Sequence, residues 1–468
     1  MELSLRTWPS RLIARRWLLA FLPVNAATAG FGVVLPLVIL IPLHGTWANV
    51  AVAATLYNGI VILASVVWGH LSDRFPFRRI FLVVNYTGFA ACYALLVHVG
   101  SLPELYLVYA LIGAVAPAGT SASNLLILEK FTESERATAF ASYQEVSMIG
   151  SLVGLGLGYF WTGAGAALLP LLWVLAALAL ASAIAIWIGI SGEAGHLPRS
   201  HVAKHPESLL SRLHPTAPGR ISIPFFPSGI RLGPDPIGRL RRWAAAELHH
   251  ELPLIMIASF LFNLSANLFN ISYTPFLYSA GLAASSIFLI NLSNNFAQTL
   301  LFPMTGGLAN RIGIDPMVRY GTYFRALGYL ATAGFTFAVL RGSGAFEANL
   351  ASYALIGGSI AVYTTASTLM LFRGIAGRDA GGLLGINSAL GGVAAVLGAG
   401  LSGILAVVGS FRLVFLVSGG VLFVSLPLWT AATIAYGRRR NLASAPAPPG
   451  TGRASGTSAE PSVGANGS

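Results

Sequence analysis

The stretch Gly69-His70-Leu71-Ser72-Asp73-Arg74-Phe75-Pro76-Phe77-Arg78-Arg79 decides the fold. It is a short charged turn between two long apolar runs, and a degenerate copy, Gly306-Gly307-Leu308-Ala309-Asn310-Arg311-Ile312-Gly313, recurs far along the chain. Other features repeat at nearly the same offset. Pro36 is matched by Pro275, and the run from Phe140 through Gly154 and Gly156 is matched by the run from Leu384 through Gly398 and Gly400. A chain that repeats its order of turns, prolines and glycines once is built from two halves of like topology.

The apolar runs set what those halves are. Of the 468 residues, 55% are hydrophobic and 9% charged, against about 25% charged in soluble domains. So few charges cannot clothe a water-facing surface. A helix needs about 20 apolar residues to cross the hydrocarbon core. Runs of that length fall at roughly 17–42, 49–70, 79–99, 104–128, 137–161 and 167–190 in the first half. In the second half they fall at roughly 253–278, 285–309, 317–340, 349–372, 381–408 and 412–436. The first run, holding Pro23 and Pro36, exceeds the apolar core of a cleavable signal, about 7–15 residues, and reads as a spanning helix.

The division of the chain is therefore 1–16, a short N-terminal segment; 17–190, six spans; 191–252, a basic proline-rich linker; 253–436, six more spans; and 437–468, a polar tail rich in Ala, Pro, Gly and Ser. Arg and Lys alternate with the spans. Arg6 to Arg16, Arg74 to Arg79, Lys130 and Arg136, the linker, Arg311 and Arg319, Arg373 and Arg378, and Arg438 to Arg440 fall on one side. Only Arg341 and Arg412 fall on the other. The positive-inside rule places the first side, with both termini, in the cytoplasm of a multi-pass cell-membrane protein.

The net charge of +12 lies in short loops with no basic module, so nucleic acid is not the expected partner. Cys92 is the one cysteine, and six of the nine histidines sit in the linker without acids at ligand spacing, so no metal site or other cofactor is expected. No phosphate-cradling Gly-Lys loop is present, and no cluster of intramembrane acids or histidines points to an enzyme. The chain is expected to be a monomer.

The turn Gly69-x-Leu71-Ser72-Asp73-Arg74-x-x-x-Arg78-Arg79 resembles the loop signature between the second and third helices of the major facilitator superfamily. The copy containing Gly307, Asn310 and Arg311 stands where that family carries its second one. The resemblance covers about 17–436. It implies an all-α membrane protein of about twelve helices, arranged as two six-helix bundles around a central cavity, that moves a small solute by alternating access. It also implies that Asp73, with Arg74, Arg78, Arg136 or the N-terminal end of the helix starting near Gly381 as partner, forms a cytoplasmic gate latch. This sequence departs from the pattern at Pro76 and Phe77, and in the second copy at Asn310 and Asp315. The second loop is accordingly expected to have lost its charge-dependent role. The buried Arg of the fourth span and the Gly-Pro pair of the fifth, usual in proton-antiporting drug exporters, are absent.

Within the spans, Glu145 is the one acid placed deep in a helix, where a charge is expensive and usually functional or paired. It is a candidate proton carrier or substrate contact, with a structural ion pair to Arg136, or an acid snorkelling toward the cytoplasm, as the alternative. Arg325, similarly deep in the ninth span, is expected to snorkel to the surface. Amides and a phenol recur in the spans: Asn25, Tyr57, Asn58, Asn124, Asn263, Asn267, Asn294, Gln298 and Asn387, with Asn270, Asn291 and Asn295 beside them. They are candidates for hydrogen-bonding a polar solute, or for bonding helix to helix. Aliphatic and aromatic cavity walls would favour export of drug-like compounds, and converging amides uptake of a polar nutrient. A non-transporting sensor of the same fold is the third reading. The topology is checked by thiol labelling in a Cys92→Ser background. A cysteine at Ser208 should react with an impermeant reagent only after permeabilisation and one at Ser101 in intact cells; the reverse pattern contradicts the assignment.

Overall fold

The computed structural model describes residues 16–75, 77–130, 133–190, 251–337, 342–375 and 380–444. Among these residues the secondary structure is helical. A 3-10 turn, Arg16–Phe21, leads into α1 (Leu22–Leu40). There follow α2 (Trp47–Arg74), α3 (Arg78–Leu96), α4 (Leu102–Lys130), α5 (Glu133–Gly163) and α6 (Leu168–Gly189). The second half holds α7 (Glu251–Ser279), α8 (Ala284–Ile312), α9 (Ile314–Phe337) and α10 (Gly342–Ile375). The last helical stretch, Ala380–Ser444, breaks at Ser410, whose φ of 64° no α-helix tolerates. It therefore comprises α11 (380–409) and α12 (411–444).

Local sequence explains the ends. Thr46 caps α2, and its backbone N–H donates to Asn49 Oδ1 at 2.7 Å, so two orphan groups at that terminus are satisfied. Gly313, with φ of 86°, stops α8 and lets α9 begin at once. Nine stretches of the described residues are long and apolar enough to span a membrane, with 387–438 taken as one. α8 and α9 fall short of that measure: α8 carries Asn291, Asn294, Asn295 and Gln298, and α9 carries Asp315, Arg319 and Arg325.

The helices pair in the same order in both halves. α1 packs on α5 and α6, α3 on α4 and α6, and α2 on α4. α7 packs on α11 and α12, α9 on α10 and α12, and α8 on α10. The halves meet along two seams, α2 against α11 and α5 against α8.

Lipid tails are as apolar as leucine, so helix association here rests on close fit and interhelical hydrogen bonds. Glycine supplies the fit. A Cβ on Gly154 of α5 would collide with the backbone of Ala26 in α1, and one on Gly398 of α11 would lie 2.8 Å from the Leu264 carbonyl of α7. These are the paired glycines of the internal repeat. Gly357 of α10 lies likewise against the backbone of Asn294 in α8. Hydrogen bonds add direction: Asn85 Nδ2 of α3 donates to the Val115 carbonyl of α4 at 2.7 Å, and Ser265 Oγ of α7 to the Ser418 carbonyl of α12 at 2.7 Å. A test follows from the contrast between two neighbouring glycines. Gly154→Ala should destabilise the protein by about 1–3 kcal/mol, the usual cost of overpacking. Gly156→Ala, at a position with open space, should leave the melting curve in detergent unmoved. Equal melting of both variants would contradict the α1–α5 contact.

Candidate functional site

A cavity of about 410 Å³ lies between the two halves. Thr28, Ala29, Gly32 and Val33 of α1 line it with Ser151 and Leu155 of α5. From the second half come Asn270 and Thr274 of α7, Asn291 and Asn295 of α8, and Tyr353 of α10. That volume falls within the range of about 300–1,000 Å³ that small-molecule sites occupy. The lining carries hydroxyls, amides and one phenol, and no Asp, Glu, Lys, Arg or His.

The helices place these groups by simple periodicity. Asn291 and Asn295 are four residues apart, and so are Asn270 and Thr274, so each pair shares one helix face. Asn291 Nδ2 donates to the Ile287 carbonyl at 2.9 Å, and Asn295 Nδ2 to the Asn291 carbonyl at 3.1 Å. Those bonds fix which end of each amide carries the N–H groups. Each Oδ1 is left without a donor among the described residues. The Asn270 amide and the Thr274 hydroxyl likewise have no partner there. Thr28 and Ser151 are different: their hydroxyls donate to the Asn25 and Ser147 carbonyls of their own helices at 3.2 and 3.0 Å. The unused capacity therefore sits on α7 and α8, facing a wall of small residues on α1.

Several amides singled out in the sequence do other things. Asn294 is buried, donates through Nδ2 to the Tyr353 carbonyl at 2.9 Å, and accepts from Gln298 Nε2 at 2.6 Å, so the pair ties α8 to α10. Asn25, Asn58, Asn263 and Asn267 each donate to the carbonyl four residues earlier, those of Phe21, Ala54, Ser259 and Asn263. Tyr57 stacks on Tyr109 with ring centroids 4.7 Å apart, joining α2 to α4. Asn387 is half-buried in α11. None of these lines the cavity, whereas Asn270, Asn291 and Asn295 do. Period 3.6 alone could not separate them, because each helix presents amides on more than one face.

Glu145 is half-buried on α5, six residues before Ser151, or roughly 9 Å along the helix. It is not part of the cavity lining. The side chains of Asp73, Arg74, Asn124 and Arg136 lie outside the described residues. Elsewhere in the turn, Leu71 packs against the core, and Arg78 Nη1 donates to the Phe75 carbonyl at 3.3 Å. The Arg79 guanidinium lies 3.7 Å from the centre of the Trp187 ring, which fastens α3 to α6. Asn310 and Arg311 are exposed. Among the described residues, a Cβ at Gly69, Gly306 or Gly307 would meet nothing within 4 Å.

Two expectations are corrected. Arg325 does not snorkel to the surface: it is 3% exposed, donates from Nε to the Tyr329 hydroxyl at 2.6 Å, and lies 4.6 Å from the Phe262 ring centre. Nor is the second loop without a charge-dependent contact. Asp315, at the usually basic position, takes two bonds from Arg373 of α10, at 2.8 and 3.3 Å, and one from Thr433 of α12 at 3.1 Å. Arg373 also lies over the Tyr436 ring at 3.8 Å. The acid has moved five residues along from Asn310, and the loop clamps α9, α10 and α12 instead.

A larger cleft, about 520 Å³, lies between α2 and α11. Ala51, Val52, Leu56, Ile404, Val407 and Val408 dominate its walls, and Thr55 supplies the one polar side chain. Without directional partners it cannot orient a polar solute, so the smaller polar cavity is the candidate site.

The two halves thus pair their helices in the same order about a polar cavity. Solved structures share this arrangement. The point variant of the nucleoside transporter NupG matches with a TM-score of 0.65 at 11% identity, over 89% of this chain and 98% of that one. The partially occluded, inward-open xylose transporter XylE from E. coli matches with a TM-score of 0.60 at 14% identity, over 90% and 96%. The family model of the Major Facilitator Superfamily matches residues 17–217. No curated protein sequence matches the chain. The family match covers 17–217, and over most of the chain the solved structures share its fold.

The Asp315 clamp has a defined pH signature. Burial alone would raise the carboxyl's pKa, but the hydrogen bond and charge of Arg373, with Thr433 and Arg319, outweigh it and lower it. A depressed carboxylate contributes stability in full above its unfolded value, and loses it only as pH falls through the folded one. A double-mutant cycle of Asp315→Asn and Arg373→Gln should give a coupling of about 1 kcal/mol, modest because both groups are partly exposed. It should be the same at about pH 7.5 and about pH 5.5. Coupling that vanishes by the lower pH would contradict the clamp.

Proposed function

We propose that the protein is a secondary transporter that binds a small, uncharged or weakly charged polar solute in the central cavity and moves it by alternating access. One observation carries the reading. On the α7 and α8 side of a 410 Å³ space between the halves, Asn270, Thr274, Asn291 and Asn295 hold hydrogen-bonding capacity that no described residue uses. Thr274 is buried, Asn291 and Asn295 are half-buried and Asn270 is exposed, so these groups are open to whatever fills the cavity. A ligand with hydroxyl or amide groups supplies what is missing. Converging amides favour uptake of a polar nutrient over export of apolar compounds. NupG and XylE, a nucleoside and a xylose transporter, fit that class of solute.

In this reading the chain lies in the cell membrane with both termini in the cytoplasm, acts as a monomer, and performs no catalysis. The Asp73 turn serves as the latch of the cytoplasmic mouth, with Arg74, Arg78 or Arg136 as its partner. Glu145, two turns from the cavity on α5, is the candidate for proton coupling, and uniport is the alternative if it plays no part.

The test begins with a thermal-shift screen of purified protein against neutral sugars, nucleosides and related metabolites, since a ligand stabilises the state that binds it. The best hit is then assayed for flux in proteoliposomes. Asn291→Ala and Asn295→Ala should each weaken binding about tenfold, the effect of losing one hydrogen bond to a desolvated partner. Asn267→Ala, outside the lining, should change it little. Ligand stabilisation without flux would support a non-transporting sensor. Binding indifferent to both cavity amides would remove the site.

A further inference from the structure

Arg325 lies roughly 16 Å along α9 from its start, near mid-membrane. Charges at that depth are normally paired or hydrated. Arg325 is 3% exposed, and no described carboxylate lies within ion-pair distance of it. Its surroundings are aromatic: Phe262 beneath the guanidinium at 4.6 Å, and Tyr329 at 5.4 Å, with the phenol accepting from Nε. Phe262 is in turn stacked on Tyr363. Ring faces and one phenol stabilise a cation by a few kcal/mol at most and leave its field largely uncancelled. Among the described residues the acids stand elsewhere. Asp315 is engaged with Arg373, Glu251 stands at the start of α7, Glu145 belongs to the other half, and Glu347 is exposed near the far end of α10.

The same rings connect this charge to the cavity. Tyr329 stacks on Phe269 at 3.9 Å, Phe269 stacks on Tyr273 at 5.0 Å, and Tyr273 lies 4.2 Å from Tyr353, which lines the cavity. The space between charge and cavity is filled with low-polarity rings, which screen poorly. At an effective dielectric of about 20, a unit charge some 10–15 Å away changes the local concentration of a monovalent ion about tenfold. The cavity lining has no ionised side chain to mask that effect.

We propose that Arg325 determines the charge preference of the central cavity: a positive charge held behind the Tyr353 wall makes the cavity reject organic cations and admit neutral or anionic solutes. The proposal rests on the reading of that cavity as the solute site, and it narrows the solute class.

The experiment reads the cavity potential without needing a substrate or flux, so it stands apart from the transport assay. In Cys92→Ser protein, Asn295→Cys places a thiol in the lining. Its reaction rates with the anionic 2-sulfonatoethyl and the cationic 2-trimethylammonioethyl methanethiosulfonates are measured in detergent, each normalised to a free thiol. With Arg325 intact the normalised ratio should favour the anionic reagent several-fold. Arg325→Gln should lower that ratio about tenfold, and Arg325→Lys should preserve it. If the Gln variant does not fold, Arg325→Met, which keeps the apolar stem among the rings, serves in its place. A normalised ratio at or below unity in the parent protein overturns the proposal without any change at Arg325. A ratio unmoved by Gln or Met overturns it as well.

Discussion

Hydrocarbon offers no partner to a polar group, and everything in this structure follows from how the chain meets that condition. Backbone groups are met inside helices. Most side-chain amides and hydroxyls turn back on a carbonyl one helical turn earlier, as Asn58, Asn263 and Asn267 do. Others join helices, as Asn85 joins α3 to α4 and Asn294 joins α8 to α10. Asn291 and Asn295 make the same bond, but with Asn270 and Thr274 they line one space between the halves. What sets the cavity apart is that its polar groups converge on one space.

Charge is handled by the same economy. The described ion pair, Arg373 with Asp315, sits where α9 begins and α10 ends, close enough to water to be partly exposed. Arg79 sits at the start of α3 and rests on a tryptophan ring of α6. Arg325 alone of these lies deep, and it takes aromatic rings in place of a carboxylate. The two halves also differ in chemistry although they share an order of packing. The second half supplies the amides of the lining and the buried cation, and the first supplies small residues such as Ala29 and Gly32 that leave room.

Much of the fold was legible in the sequence, because a bilayer imposes lengths. Apolar runs of about 20 residues, the alternation of basic loops and the duplicated Gly69 and Gly306 turns define two like halves without reference to any side-chain contact. The paired glycines, Gly154 and Gly398, were visible as a repeat, and the structure puts both at equivalent helix crossings. The site was less legible. Composition flagged α7 and α8 as amide-rich, but which face of each helix meets the cavity depends on rotation set by packing, so Asn291 and Asn294, three residues apart, have opposite fates. Arg325 and Asp315 were misread because a sequence does not show that Phe262 lies against one, or that Arg373 lies against the other.

In the proposed transport cycle the ends of α2 and α12 part and rejoin, and in this conformation Trp47 and Phe411 meet there edge to face with ring centroids 5.0 Å apart. The most direct measurement is flux of the bound solute through Cys92→Ser protein carrying cysteines at both positions, before and after a short thiol cross-linker joins them. The account predicts that cross-linking stops flux, that cleaving the linker restores it, and that solute binding survives throughout. Flux that continues at the original rate in fully cross-linked protein would contradict it.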